Sequence, residues 1–274
     1  MRAQTSSDYP DRLRAFTVAP SRAFRVLRYG REPEQFGELW RTKGFTPQPV
    51  AVLIHGGYWR ARYGLDLMHL LAADLCTRGY AVWNLEYRRI GSDGGGWPGT
   101  FADVASGIDV LTSLAGRHRI DSNRVTVIGH SAGGHLALWA AARRRLPSGW
   151  GRPQVIPVHA VSLAGVCDLV EGARRRLSDD AVAELLGGGP RDIPDVYRQA
   201  CPKQLLPHGV RQTLVHGDAD DAVPFALSEG YAQAARQAGD RCSFLPLPGA
   251  DHFDVIDPAS PAWATIASRA LTPV

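Results

Sequence analysis

The segment from Arg124 to Ala142 constrains this chain most, because a five-residue turn there joins two runs of opposite character. RVTVI (Arg124 to Ile128) is short, apolar and β-branched, as a buried strand should be. Gly129-His130-Ser131-Ala132-Gly133 follows, and from Ala132 to about Arg144 the sequence is Ala- and Leu-rich and predicts a helix. A Gly-x-Ser-x-Gly turn between strand and helix puts the serine at a sharp, strained bend, and its glycines remove Cβ atoms that would collide there. The hydroxyl then stands above the strand's C-terminal end, where open α/β sheets place their ligands. It also faces the positive end of the following helix, which favours developing negative charge. Ser131 is thus the candidate nucleophile.

The rest of the chain fits around that turn. Strands are predicted over Pro49 to Gly57, Tyr80 to Tyr87, Val155 to Gly165, Arg211 to Gly217 and Arg241 to Gly249. Helices are predicted over Leu65 to Cys76, closed by Gly79, and over Pro224 to Ala238. Another starts at Thr100, whose hydroxyl is expected to cap its first turn with Asp103 at the positive end. Before Pro49, only Phe24 to Leu27 looks like a strand. This alternation predicts βαβ units, a mostly parallel sheet and helices on both faces. With 274 residues, 45% of them hydrophobic, one domain is expected over 1–274. Residues 1–48 read as an N-terminal extension. Residues 168–209 break the alternation with charges, prolines and three consecutive glycines, and are the candidate lid or cap.

A serine hydroxyl needs a base, and the base needs an orienting carboxylate. Three acids, Asp218, Asp220 and Asp221, follow the strand ending in Leu214-Val215-His216-Gly217. Asp220 has the H-G-x-x-D spacing and is assigned as the acid; Asp218 suits a turn, and Asp221 a helix cap or solvent. His252, in Pro248-Gly249-Ala250-Asp251-His252, is the sole histidine downstream of Asp220 and is assigned as the base. Asp251 and Asp254 flank it too closely in sequence to turn back onto its ring. His55-Gly56-Gly57-Tyr58 leaves the first predicted central strand as a loop able to aim backbone amides at an oxyanion. The amide of Ala132 is the expected first donor and that of Gly57 or Tyr58 the second, the sequence leaving the choice between them open. Trp59, Trp97 and His130 are candidate substrate contacts, with packing as the alternative for each. His135, like His130, is expected to pack or hydrogen-bond beside the turn, and His55 and His216 to hold their loops by side-chain hydrogen bonds.

Other functions find little support. The formal charge of +4 comes partly from Arg143-Arg144-Arg145 and Arg174-Arg175-Arg176, which read as solvated faces; no aromatics interleave them, so no nucleic-acid partner is expected. Gly91 to Gly99 lacks the G-K-[ST] ending of a phosphate loop and reads as a flexible rim. No histidine or cysteine cluster has metal-ligand spacing, so no metal and no cofactor are expected. The four cysteines form no C-x-x-C pair and read as free thiols in a reducing compartment. No apolar leader or membrane-length segment is visible, which fits a cytoplasmic protein with no membrane partner.

Together these motifs resemble the kynurenine formamidase (arylformamidase) group of the α/β hydrolases and its bacterial esterase relatives. The resemblance rests on His55-Gly56-Gly57-Tyr58-Trp59 and Gly129 to His135. It extends to Glu86-Tyr87-Arg88, Trp97-Pro98-Gly99, Tyr197 to Pro202 and both later motifs. Hormone-sensitive-lipase-like esterases are similar too, but usually carry a third glycine where Tyr58 stands and an acid where His130 stands. The resemblance implies an α/β-hydrolase fold and cofactor-free hydrolysis of a small acyl substrate, an aryl formamide or carboxylic ester. The alternatives are a peptidase acting on acylated or prolyl peptide ends, and a non-catalytic ligand-binding protein that keeps the fold.

Overall fold

A computed structural model describes residues 24–42, 44 and 46–271. Eight strands form one sheet: β1 (Phe24–Arg28), β2 (Phe36–Trp40), β3 (Gln48–Ile54), β4 (Ala81–Leu85), β5 (Ile120–His130), β6 (His159–Leu163), β7 (Arg211–Gly217) and β8 (Cys242–Leu247). Their order is β1-β2-β4-β3-β5-β6-β7-β8. All pairs from β4 to β8 are parallel, and the β1–β2 and β2–β4 pairs are antiparallel. The helices are α1 (His69–Thr77), α2 (Gly99–Asp109), α3 (Leu111–His118), α4 (Ala132–Ala142), α5 (Leu169–Arg174), α6 (Leu177–Leu186), α7 (Pro194–Ala200), α8 (Phe225–Gln237) and α9 (Pro261–Ala270).

Alternation along the strands divides the core into two faces, as a sheet covered on both sides requires. Val50, Val52 and Ile54 pack with Phe101 and Val104 of α2 and Leu136 and Trp139 of α4. Ala51 and Leu53 face the other way, against Leu71 and Leu75 of α1 and Trp263 and Ile266 of α9. None of the described helices is long and apolar enough to cross a membrane.

Several elements differ from expectation. Residues 1–23 lie outside the described residues, but the remainder of the expected extension supplies β1 and β2, so this part belongs to the sheet. The β2 strand was not legible because Phe36-Gly37-Glu38-Leu39-Trp40 places a carboxylate in the interior. Glu38 is buried against His69 Nε2 (2.9 Å), Trp40 Nε1 and Asn84 Nδ2. Thr100 does not cap α2: its hydroxyl donates to Arg88 O and accepts from the Gly96 amide. Asp103 turns outward from the helix to bind Arg88 and Gln35. Arg143 is not a solvated residue; it is buried, forks onto Asp109 at 2.7 and 2.9 Å and donates to Val155 O. Arg174, Arg175 and Arg176 are surface residues paired with Glu171 and Asp180. All four cysteines are free thiols.

Within residues 168–209, α5, α6 and α7 send Leu169, Val182, Leu185, Tyr197 and Ala200 into the same apolar cluster as the sheet. The entry to α6 is strained: Arg176, Ser178, Asp179 and Asp180 have φ of 54, 48, 53 and 61°, each costing roughly 1–2 kcal/mol for a residue with a Cβ. Arg60 binds the carbonyls of Ser178 and Asp179 and pairs with Glu184 at 2.8 Å, holding this segment to the loop after β3.

Candidate active site

The turn at Ser131 has the geometry its sequence demands. Ser131 sits at φ 56°, ψ −117° between β5 and α4, a region that costs about 1–3 kcal/mol outside glycine. Its amide donates to Leu163 O (2.8 Å), and its carbonyl accepts from the His135 and Val166 amides. Close backbone contact explains the flanking glycines. A Cβ on Gly129 would stand 1.9 Å from Gly133 O, and one on Gly133 would stand 2.0 Å from Ile54 O. The first turn of α4 is thereby seated directly on the end of β3.

Asp220 and His252 come from loops after β7 and β8 and meet directly: His252 Nδ1 donates to Asp220 Oδ2 at 2.7 Å. Asp220 Oδ1 accepts from the Ala222 and Val223 amides at 2.9 and 2.8 Å. Burial alone would raise its pKa, but the hydrogen bonds from His216, His252 and Val223 outweigh that and hold the carboxyl far below its ordinary range. Asp218 accepts from the Gly249 amide, and Asp221 is exposed. Asp251 and Asp254 build the turn that presents His252, Asp251 accepting from the Phe253 and Asp254 amides while Asp254 accepts from the Asp251 amide.

His130, next to Ser131 in the chain, contacts the His252 loop. His130 Nε2 donates to His252 O at 2.9 Å, and the two rings lie 4.6 Å apart. Burial among apolar groups, together with the nearby His252, pushes the His130 pKa down to about 3, so the ring is a neutral donor. Among the described residues, Ser131 Oγ forms no hydrogen bond to the imidazole in this resting geometry. Such bonds are often loose in the absence of substrate.

The loop after β3 lies against the nucleophile. A Cβ on Gly56 would stand 2.9 Å from Ser131 Cβ, and Gly57, Tyr58 and Trp59 all have positive φ (107, 50 and 56°). His55 anchors the loop from below: its Nε2 donates to Glu86 Oε1 (2.9 Å), its ring stacks on Tyr87, and its carbonyl accepts from Tyr87 Oη. Tyr58 Oη donates to Ala222 O at 2.6 Å, tying this loop to the one carrying Asp220.

Each of the three candidate substrate contacts has partners within the protein. Trp59 is fully buried, and its Nε1 donates to His135 Nδ1 at 3.2 Å. His135 Nε2 donates in turn to Ala200 O of α7. Burial lowers the His135 pKa to about 4. Trp97 packs on Phe101 and Trp150 at 4.8 and 5.2 Å, and His130 braces the His252 loop. The glycine stretch before Trp97 is a tight turn: a Cβ on Gly95 would stand 1.8 Å from Arg89 O. Sequence reasoning missed three links: His130 to His252, Tyr58 to Ala222 and His216 to Asp220. The first two span 122 and 164 residues, so no local signal announces them. Among the described residues, no cluster of His, Cys, Asp and Glu could hold a metal.

Comparisons agree with this architecture. A truncated carbohydrate esterase from gut microbiota superposes with a TM-score of 0.77 at 21% identity, over 90% of this chain and 96% of that one. An esterase of Thermogutta terrifontis, solved with propionate, does so at 0.72 and 21%, over 91% and 93%. These likenesses show the α/β-hydrolase fold. Esterase LipC of Mycobacterium tuberculosis is 28% identical over 86% of this chain and 60% of its own. The kynurenine formamidase of Drosophila melanogaster is 26% identical over 84% and 75%. The chain thus spans about 60% of the length of LipC. With the BD-FAE family model matching residues 40–234, well over half of the sequence, the chain belongs to the BD-FAE family.

Proposed function

We propose that this protein is a serine hydrolase that cleaves small carboxylic esters or aryl formamides through an acyl-enzyme. The observation that carries the reading is the 2.7 Å bond between His252 Nδ1 and the buried carboxylate of Asp220, joined through His130 to the strained turn at Ser131. His252 takes the hydroxyl proton as Ser131 Oγ attacks the acyl carbon. The tetrahedral oxyanion is received by the amide of Ala132 and one from the Gly57–Tyr58 loop. His252 then protonates the leaving oxygen or nitrogen, and in the second step it activates water, which releases the acid and frees Ser131. Asp220 fixes the ring tautomer and stabilises the imidazolium. LipC supports the ester arm and the Drosophila formamidase the formamide arm. Residues 168–209 act in this reading as a fixed cap, since their apolar side chains share the core of the sheet.

Ser131→Ala is expected to lower hydrolysis of p-nitrophenyl acetate by roughly 10⁴-fold or more and to abolish labelling by a fluorophosphonate, with the melting temperature unchanged. A variant that keeps most of its activity would sink the assignment. A panel of short p-nitrophenyl esters and aryl formamides separates the two substrate arms.

A further inference from the structure

We infer that His216 is a positioning residue for this reaction: it shares Asp220 Oδ2 with His252 and so sets how much of the acid's charge reaches the catalytic imidazole. The inference rests on the hydrolase reading above. His216 is the penultimate residue of β7, is fully buried and has partners at both ring nitrogens. Nε2 donates to Val223 O at 3.0 Å, and the same nitrogen lies 3.1 Å from Asp220 Oδ2. Nδ1 lies 2.7 Å from Ser228 Oγ on α8, whose hydroxyl can donate to it. Phe225 packs edge-on at 5.7 Å and closes the site.

The consequence follows from counting donors. Oδ1 is occupied by two backbone amides, which no side-chain substitution removes. Oδ2 is the oxygen that His252 uses, and the His216 N–H, which donates to Val223 O, lies 3.1 Å from it. A neutral N–H dipole beside that oxygen stabilises its charge, and so weakens its stabilisation of the His252 imidazolium. Without His216, Oδ2 would serve His252 alone, and His252 would hold its proton more tightly. Among the described residues, the other titratable groups acting on the pair are His130 from the turn and Tyr58 from the loop after β3, while the exposed Asp221 is next in the chain. All are retained in the variants below. A purely structural role predicts the opposite sign, because a displaced Asp220 would support the imidazolium less.

The test compares wild type, His216→Phe, His216→Gln and Ser228→Ala. The His252 midpoint is read from its low-field Nδ1 proton by NMR, and from the acidic limb of kcat/KM on p-nitrophenyl acetate. His216→Phe is expected to raise the midpoint by roughly half a unit or more. His216→Gln, whose terminal amide can reach Oδ2, should return it toward wild type. Ser228→Ala, which frees Nδ1, should move it the same way by less, and carries the test if His216→Phe fails to fold. An unchanged or lowered midpoint in a folded variant overturns the proposal. The NMR titration needs no substrate, so a chain that hydrolyses no ester would refute the hydrolase reading and still leave this question decidable.

Discussion

Substituting Gly133 by alanine tests whether the seat of α4 on β3 positions the oxyanion loop. The new Cβ would lie 2.0 Å from Ile54 O and 2.6 Å from His55 O. Ordinary contact begins near 3.4 Å, so backbone must separate from backbone by about 1.4 Å, and no side chain can yield instead. Ile54 and His55 lead straight into Gly56 and Gly57, so the displacement falls on the proposed oxyanion donors. A misplacement of about 1 Å at reacting groups costs roughly 10²-fold, and overpacking a close-packed interior costs about 1–3 kcal/mol. Gly133→Ala should therefore lower kcat for p-nitrophenyl acetate by roughly 10²-fold, with KM within about threefold, and should lower the melting temperature by several degrees. Gly116→Ala is the matched control: it lies within α3, its Cβ would meet nothing within 4 Å, and it should stabilise by about 0.5–1 kcal/mol with activity intact. Wild-type kcat in a fully folded Gly133→Ala protein would refute the reasoning.

Two further outcomes follow from buried histidines. His130, His135 and His159 have pKa values lowered to about 3, 4 and 4 by burial, so the unfolded chain binds their protons first on acidification. Each is expected to remove up to about 1.4 kcal/mol of stability per pH unit below 6.5, until its folded pKa is reached. The depressed Asp220 adds its loss only below about pH 4. Urea midpoints that stay level from pH 7 to 4.5 would contradict this. His135→Phe would leave Trp59 Nε1 and Ala200 O buried without partners, so a loss of about 2–5 kcal/mol is expected. Chemical denaturation measures it, and a change below about 1 kcal/mol would argue against the bridge.

The sequence by itself determined what depends on neighbours along the chain. Strand–turn–helix around Ser131 and the β7 and β8 strands are local patterns, and each predicted segment is a strand or helix in the structure. That Asp220, and not Asp218 or Asp221, meets His252 agrees with the spacing after the strand, because each step along the chain changes the direction of the turn. Tertiary structure alone decided whatever joins distant segments. It placed Glu38 of β2 beside His69, bound Asp103 to Arg88, buried Arg143 on Asp109, bonded the buried Trp59 to His135 and packed Trp97 on Phe101. A polar or aromatic side chain has the same local propensity whether it meets solvent, substrate or a partner more than a hundred residues away. Only the approach of β5, β7 and β8 in one parallel sheet brings His130, His216, Asp220 and His252 together, and with them the environment in which Ser131 would act.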